Sequence, residues 1–182
     1  MKFNLQPKKL MFYSYYPNSP VGELLMTSDG SNLTALQMNT QRYNHIQNNW
    51  IRQDDLEVFC QTKKWLNNYW QGKNPSLKNL SLKPQGSDFR QKVWNILQKI
   101  SYGQYLTYGD IAKQIAKEYG KTKMSAQAIG GAVGHNPICI IIPCHRVIGS
   151  NGNLTGYDGG IDKKIILLQH EGFDLSKFSL PR

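Results

Sequence analysis

The sequence predicts a fold of the α/β (α+β) class: a small sheet-and-helix domain followed by a mostly helical domain that contains a helix-turn-helix. Strand-like runs fill the first part of the chain, and amphipathic helical patterns dominate the second. A stretch with proline and glycine but no periodicity, residues 73–86, separates them. The 182 residues suffice for two small domains, which we place at 1–85 and 86–182.

Three short strands are predicted near the N-terminus, over residues 11–16, 22–27 and 33–38. Turn-forming residues bound each run, as is typical of a small antiparallel sheet. Residues 1–9 are polar and lysine-bearing, and they are interpreted as a loose or edge segment. Apolar residues at helical spacing then predict one helix that backs the sheet and ends before Gly72.

The second half predicts helices whose N-cap candidates are Ser87, Thr107 and Ser125. Helices over 108–119 and 126–133 are joined by a short basic turn, which suggests a helix-turn-helix. The second of them is rich in small residues, including Gly130 and Gly131, so another surface such as a DNA groove could approach its backbone closely. The alternative is plain helix packing with small residues at a tight crossing.

Charge and composition restrict the possible partners and compartment. The chain has 22 Lys and Arg against 12 Asp and Glu, and its net charge of +10 favours polyanions such as nucleic acid, although charge could serve solubility alone. No stretch approaches the roughly 20 apolar residues of a membrane span, and the N-terminus lacks the apolar core of a signal peptide. With three cysteines, an odd number, the sequence predicts a cytoplasmic protein that does not bind membranes.

Cys144 and His145 are the candidate chemical centre, at the end of an apolar run of three isoleucines and Pro143. The run predicts a buried, pleated segment, and the proline ends regular pairing, which sets the thiol on a bend. The thiolate is the nucleophile, so Cys144 needs a base. His145 is the nearest base, and Glu171, at the end of a helix predicted from residue 162, can hold the imidazole in one tautomer.

The side chains of adjacent residues usually point apart, so the thiol and the imidazole are expected to communicate through a water molecule. A cysteine hydrolase uses the same three groups, and this logic alone leaves the substrate open. A zinc site built from Cys139, Cys144 and neighbouring histidines is the structural alternative, but the spacer lacks a knuckle glycine and no second pair follows. Cys60 and Cys139 are predicted to be buried core thiols. Two histidines are predicted to lie on the surface, His45 and His170.

A set of short motifs covers nearly all of the C-terminal half. The central one is Pro-Cys-His-Arg-Val at 143–147, and the others lie at 89–94, 102–104, 130–133, 135–137, 155–157, 159–160 and 167–172. Together they make this half similar to the methylated-DNA–protein-cysteine methyltransferases, the O6-alkylguanine repair proteins. The N-terminal half resembles the family's ribonuclease H-like domain more loosely, through residues 19–22 and the order of its strands and helix.

The resemblance implies that Cys144 takes an alkyl group irreversibly from O6 of guanine, or from O4 of thymine, in double-stranded DNA after the nucleotide has flipped out of the duplex. Each molecule would react once, as a monomer, without a cofactor. His145 would deprotonate the thiol through a water molecule, and Glu171 would orient His145. Asn136 would bridge the two halves of the active-site turn, and Tyr108 would donate a proton towards the departing guanine.

The resemblance also assigns the remaining site residues, and it implies no metal. The substrate pocket is expected to involve Tyr157, Asp158, Val147 and Gly159. DNA contacts are expected from Ser125, Ala126, Gln127, Gly130, Gly131 and Lys123. The helix-turn-helix would bind the minor groove, and nearby lysines would meet phosphates without reading sequence.

Two positions depart from the family pattern. Gln127 occupies the place where many members have an arginine that fills the vacated base stack, and Asp158 stands where a small neutral residue is usual. Gln127 carries no charge, so extrusion of the nucleotide is expected to be less efficient or to need another residue. An alternative function is that of a binding module that recognises alkylated DNA without reacting with it, although the presence of Cys144 argues against it.

Overall fold

The computed structural model describes residues 10–38 and 46–180, so residues 1–9 and His45 lie outside the described residues. The N-terminal half contains β1 (Phe12–Ser19), β2 (Gly22–Ser28), β3 (Leu33–Met38) and β4 (Ile51–Arg52). These strands form a sheet in the order β3-β2-β1-β4, in which β1, β2 and β3 pair antiparallel and β4 pairs parallel to β1. The three predicted strands are confirmed, and β4 is an addition.

Helix α1 (Glu57–Trp70) follows the sheet, as predicted, and buries one face that includes Phe59 and Leu66. Cys60 lies on the opposite side of this helix and is exposed, so its prediction as a core thiol is wrong, whereas Cys139 is buried as predicted. The stretch 73–86 is irregular apart from one bridge between Leu82 and β3.

The C-terminal half is mainly helical, with α2 (Asp88–Leu97), α3 (Tyr108–Glu118), α4 (Ala126–Gly134) and α5 (Ile161–His170). The three predicted N-caps are confirmed. The Ser87 and Ser125 hydroxyls accept hydrogen bonds from the backbone three residues on. Thr107 forms a reciprocal capping box with Asp110, and α3 and α4 form the helix-turn-helix.

A small parallel pair of strands, β5 (Leu106–Thr107) and β6 (Val147–Ile148), joins distant parts of this half. Strand β5 leads directly into α3, and β6 follows the 3-10 helix that begins at Cys144. The pairing therefore places the start of the helix-turn-helix beside the segment that carries the thiol.

The isoleucine run before Cys144 is buried, as predicted, but it is not a strand. Ile138, just before the run, forms a bridge to Leu36 of β3, and the chain then turns through residues 139–141. Ile140 has a φ of 66°, which is rare for a β-branched residue. The apolar composition of this segment explains why it is buried. The turn begins directly after the bridge to β3, a long-range contact that local sequence patterns do not predict.

One hydrophobic cluster includes side chains from both halves, among them Leu36, Phe59, Trp94 and Ile138. The Trp94 indole also donates to the Ala132 carbonyl at 2.9 Å, which ties α2 to α4. None of the helices in the described part of the chain is both long enough and apolar enough to cross a bilayer.

Replacing Thr107 by Ala will lower the free energy of unfolding by about 1 kcal/mol, because α3 loses its capping oxygen. That oxygen accepts from the Asp110 amide at 3.1 Å. Urea denaturation followed by circular dichroism measures the loss. Thr122→Ala, at an exposed site between α3 and α4, is the control and should change stability by less than about 0.5 kcal/mol. Equal losses in both variants would contradict the role of the capping box.

Candidate active site

Cys144 begins a short 3-10 helix and is 6% exposed. Its amide donates to the Ile142 carbonyl at 2.8 Å, which fixes the bend on which the thiol lies. Asn136 holds the two sides of this turn together, since its amide group donates to the carbonyls of Ile142 at 2.7 Å and Ile138 at 3.3 Å. Its oxygen accepts from the Ile138 amide at 3.1 Å. Asn136 therefore occupies the bridging position that was expected of it.

The structure brings His145 and Glu171 together, with 2.8 Å between His145 Nε2 and Glu171 Oε1. A carboxylate only accepts hydrogen bonds, so Nε2 must carry the imidazole proton. His145 Nδ1 is then the basic nitrogen. It is buried and has no hydrogen-bond partner among the described residues. This arrangement leaves one nitrogen free to receive a proton.

Glu171 is 5% exposed and is compensated by several donors. Arg146 makes a bidentate contact, from Nε to Oε2 and from Nη2 to Oε1, both at 2.8 Å. The Tyr69 hydroxyl donates to Oε1 at 2.9 Å, and the Gly103 amide donates to Oε2 at 3.3 Å. Burial by itself would raise the pKa of Glu171, but the hydrogen bonds of His145 and Arg146 and the charge of Arg146 outweigh burial and lower it to about 2. Glu171 is therefore ionised at neutral pH.

The nucleophile and its base are both neutral at rest. Burial raises the pKa of Cys144, against the opposing effects of a hydrogen bond with Asn136 and the charge of Lys164. Burial also lowers the pKa of His145, against the raising effect of Glu171. A thiol beside an uncharged imidazole can deliver its proton to that imidazole when a reaction partner arrives.

Two adjoining cavities lead to the thiol. The outer one, about 660 Å³, is lined by α3, α4 and the loop before α5, and its lining includes Tyr108, Ala126, Gln127 and His135. The inner one is a cleft of about 10 Å³ that reaches Cys144 and Asn136. Residues that line both cavities are Gly134, Gly156, Tyr157 and Asp158.

Two tyrosines, Tyr108 and Tyr157, line these cavities. Tyr108 donates to the Gly156 carbonyl at 3.0 Å, and the Tyr157 hydroxyl is buried with no partner among the described residues. Burial, and to a lesser extent Cys144, raises the pKa of Tyr108 to about 12 and that of Tyr157 well above its usual value. Both phenols remain protonated at neutral pH, so both can donate hydrogen bonds.

Some expected residues do not line either cavity. Val147 is fully buried, and its carbonyl accepts from Lys164. Gly159 is buried, and a side chain there would meet the Met38 sulfur at 2.7 Å, so this glycine is required for packing. Ser125 caps α4, and Lys123 lies exposed in the turn before it.

The glycine face of α4 is open. Among the described residues, a methyl group added to Gly130, Gly131 or Gly134 would meet nothing within 4 Å outside its own helix. Packing against the described part of the chain therefore does not require these glycines, contrary to the alternative of a tight helix crossing. Exposed lysines lie on α3 and in the turn that connects α3 to α4, at positions 113, 117, 121 and 123.

Three site residues were missed or underrated by sequence reasoning: Tyr69, Arg146 and Lys164. Lys164 is fully buried and donates to the carbonyls of Val147 at 2.6 Å and Thr155 at 3.0 Å, and burial lowers its pKa to about 8. Its burial could have been predicted from the sequence, because Lys164 lies three and four residues before Leu167 and Leu168 and therefore shares their buried helix face. Tyr69 and Arg146 gave no such signal, since their polar partner is distant in sequence.

His170 is half-buried, which corrects its prediction as a surface residue. Its Nε2 lies 2.6 Å from the Tyr69 carbonyl, and its ring packs on Tyr69 and Trp70. No group of three or more His, Cys, Asp and Glu side chains that could hold a metal ion occurs within 10–38 and 46–180.

Comparison with known protein families gives two matches that together cover most of the chain. Residues 11–84 match the ribonuclease-like domain of 6-O-methylguanine DNA methyltransferase. Residues 88–173 match the DNA binding domain of the same family.

Similar individual proteins are found among bacteria and archaea. A methylated-DNA–protein-cysteine methyltransferase of Haemophilus influenzae is 42% identical over 88% of this chain and 86% of its own length. One from Methanosarcina acetivorans is 40% identical over 89% of this chain and 99% of its own. The crystal structure of Mycobacterium tuberculosis OGT in complex with DNA is 40% identical, with a TM-score of 0.76, and covers 92% of this chain and 94% of that one.

Replacing Glu171 by Gln will lower the free energy of unfolding at pH 7 by about 3 kcal/mol, because the folded pKa of about 2 lies well below the ordinary value of 4.5. A carboxyl group with a depressed folded pKa contributes stability above its unfolded pKa, and this contribution is lost as the pH falls from about 4.5 towards 2. The difference between wild type and variant should therefore shrink in that range.

Urea unfolding at a series of pH values measures this difference. Glu118→Gln is the control, since Glu118 is exposed and its contact with Lys92 is 3.8 Å long. The control should change stability by less than about 1 kcal/mol. A Glu171→Gln difference that is constant with pH would contradict the assigned ionisation.

Proposed function

This chain belongs to the 6-O-methylguanine DNA methyltransferase family, and we propose that it repairs DNA by transferring an alkyl group from O6 of guanine irreversibly to its own Cys144. The observation that carries the proposal is the position of the thiol at the end of a cleft, next in the chain to His145, whose imidazole pairs with Glu171 at the end of α5. Transfer from O4 of thymine to the same sulfur is part of the proposal.

The first step is activation of the thiol. The Cys144 proton passes through a water molecule to His145 Nδ1, which is buried and has no partner among the described residues. The Glu171 carboxylate holds the proton on Nε2 and stabilises the imidazolium that forms. The thiolate is thus generated only when the site is engaged, because burial disfavours it at rest.

The second step is an in-line displacement. The thiolate sulfur bonds to the alkyl carbon, the carbon–O6 bond breaks, and its electron pair stays with guanine. The guanine anion then takes a proton, which the Tyr108 hydroxyl can supply from the rim of the outer cavity. Tyr108 regains a proton from solvent and His145 releases to solvent the one it took from Cys144, so the net change is transfer of the thiol proton to guanine. Tyr157 also lines the cleft. Its hydroxyl has no partner among the described residues, so it is available as a hydrogen-bond donor that lowers the barrier to departure of the base.

The target carbon lies inside the duplex, so the nucleotide must be extruded into the cavity at an expense of a few kcal/mol. The open glycine face of α4 supports a close approach of the DNA minor groove, and the neighbouring exposed lysines support contacts to phosphates. Gln127 and Ala126 line the outer cavity. A side chain at this position could occupy the gap that the extruded nucleotide leaves in the base stack. DNA binding also accords with the relative that was crystallised with DNA.

We further propose that the chain acts as a cytoplasmic monomer without a cofactor, and that it divides near residue 85 into its two domains. Matches to the two family regions on either side of residue 85 support this division. The unpaired cysteines fit a reducing compartment.

Intact-mass spectrometry of the protein mixed with duplex DNA containing O6-methylguanine tests the transfer. We expect a gain of one methyl group, located at Cys144 by peptide mapping, and no gain in Cys144→Ser. Cys60→Ser is the matched control, because Cys60 is an exposed thiol outside both cavities, and this variant should react like wild type. An unchanged mass together with full binding of the damaged duplex would instead favour a non-catalytic binding module.

Replacing Gln127 by Arg should tighten binding of the damaged duplex by up to about tenfold, equivalent to 1.4 kcal/mol. The arginine can fill the vacated stack and adds a positive charge, whereas Gln127 supplies only its polar group. Fluorescence anisotropy with damaged and undamaged duplexes measures the gain.

Gln114→Arg is the control for this charge, since it adds the same group on an exposed part of α3 outside the cavity. The control should strengthen binding to damaged and undamaged DNA alike. If Gln127→Arg shows the same equal gain, position 127 does not fill the stack.

A further inference from the structure

The N-terminal half reaches into the candidate active site through Tyr69 of α1. Its hydroxyl donates to Glu171 Oε1 at 2.9 Å, and its side chain is almost fully buried. The same oxygen accepts from His145 Nε2 and from Arg146 Nη2, each at 2.8 Å. Tyr69 therefore shares an acceptor atom with the base of the proposed reaction.

We propose that Tyr69 is a positioning residue for the alkyl transfer, supplied by the N-terminal half, which sets the orientation and hydrogen-bonding capacity of the Glu171 carboxylate that holds His145. The inference rests on the proposed function of the same site. It also gives the N-terminal half a direct part in the chemistry.

The surroundings of Tyr69 hold it rigidly. Its ring stacks on Trp65 at a centroid distance of 5.5 Å and meets Tyr102 edge-on at 6.1 Å. Its backbone carbonyl accepts from His170 Nε2 at 2.6 Å, so both its main chain and its side chain are tied to consecutive residues, His170 and Glu171. A phenol held at both ends in this way fixes the carboxylate more precisely than an exposed donor would.

A second contact joins the N-terminal half to the other side of the site. The Leu36 amide of β3 donates to the Pro137 carbonyl at 2.9 Å, and the Cys139 amide donates back to the Leu36 carbonyl at 2.9 Å. This bridge holds the segment that precedes Cys144, while Tyr69 holds the carboxylate behind His145. The N-terminal half thus fixes both the nucleophile's turn and the base's partner.

Loss of the Tyr69 hydroxyl should raise the pKa of His145. The ionisable groups that act on His145 are Glu171 and Lys164 of the α5 region and the neighbouring Arg146. With one donor removed, Oε1 carries more negative charge towards His145 Nε2, so the pKa of His145 rises. The carboxylate is also freer to rotate, so the imidazole is aligned less well for the proton transfer.

Tyr69→Phe tests the proposal, because phenylalanine keeps the ring contacts and removes only the donor. In single-turnover reactions with O6-methylguanine duplex, the rate of methyl gain should fall about tenfold, at the low end of losses for an outer partner of an active-site group. The acid limb of the pH–rate profile should move to higher pH. The affinity for undamaged duplex should stay within about twofold, since no DNA-facing residue is changed.

Tyr102→Phe is the matched control. Tyr102 belongs to the same aromatic group, but its hydroxyl donates to the His170 carbonyl at 3.0 Å and not to Glu171. This variant should keep the wild-type rate and pH profile. Titration of His145 by NMR in the unreacted proteins gives a readout independent of DNA, and its pKa should rise only in Tyr69→Phe.

The outcomes separate the two hypotheses. A wild-type rate and an unshifted His145 titration in Tyr69→Phe would overturn the role of Tyr69 and leave the proposed function intact. Equal losses of rate in Tyr69→Phe and Tyr102→Phe, without a shift in titration, would also overturn it by showing that the cluster acts only in packing. A wild-type chain that gains no methyl group would overturn the proposed function, and the inference with it.

Discussion

The buried carboxylate of Glu171 is the constraint on which the site depends. A buried charge without partners is strongly destabilising, so the fold must bring donors to it from distant parts of the chain. They come from α1 through Tyr69, from the turn after α2 through Gly103, and from the 3-10 helix through His145 and Arg146. A shift of any of these segments would leave the carboxylate undercompensated. The catalytic geometry is therefore maintained by the same interactions that make the fold stable.

This constraint also determines the chemistry of His145. Because Nε2 faces the carboxylate, the proton stays on that nitrogen, and Nδ1 is left as the only basic position of the ring. Arg146 neutralises much of the carboxylate charge through its bidentate contact, which limits how strongly Glu171 can raise the basicity of the imidazole. Burial lowers the pKa of His145 further. The result is a base that is neutral at rest and aligned before the reaction.

Local features of the fold could be predicted from the sequence, whereas most long-range contacts could not. Periodicity and capping residues located the helices, because Thr107 and Ser125 act on neighbours within one turn. The pairing of His145 with Glu171 was predicted from chemical logic and family resemblance. The turn at Ile140 and the reach of Tyr69 to Glu171 depend on contacts with β3 and between the two halves. Such contacts follow from tertiary packing, for which one sequence carries no local signal.

In the proposed reaction the Cys144 thiol is used once, and this explains why it is kept protonated at rest. A thiolate reacts with soluble electrophiles and oxidants, and any such reaction at Cys144 would consume the protein before it met damaged DNA. Cys144 is only 6% exposed and lies at the end of a cleft of about 10 Å³, so most of these agents cannot reach it. Burial also raises the pKa of the thiol and so keeps it protonated. A permanently activated cysteine would gain rate but lose this protection. In the proposed mechanism, coupling the thiol to a neutral imidazole held by Glu171 reconciles the two demands, because the reactive form would arise only where a nucleotide fills the cavity.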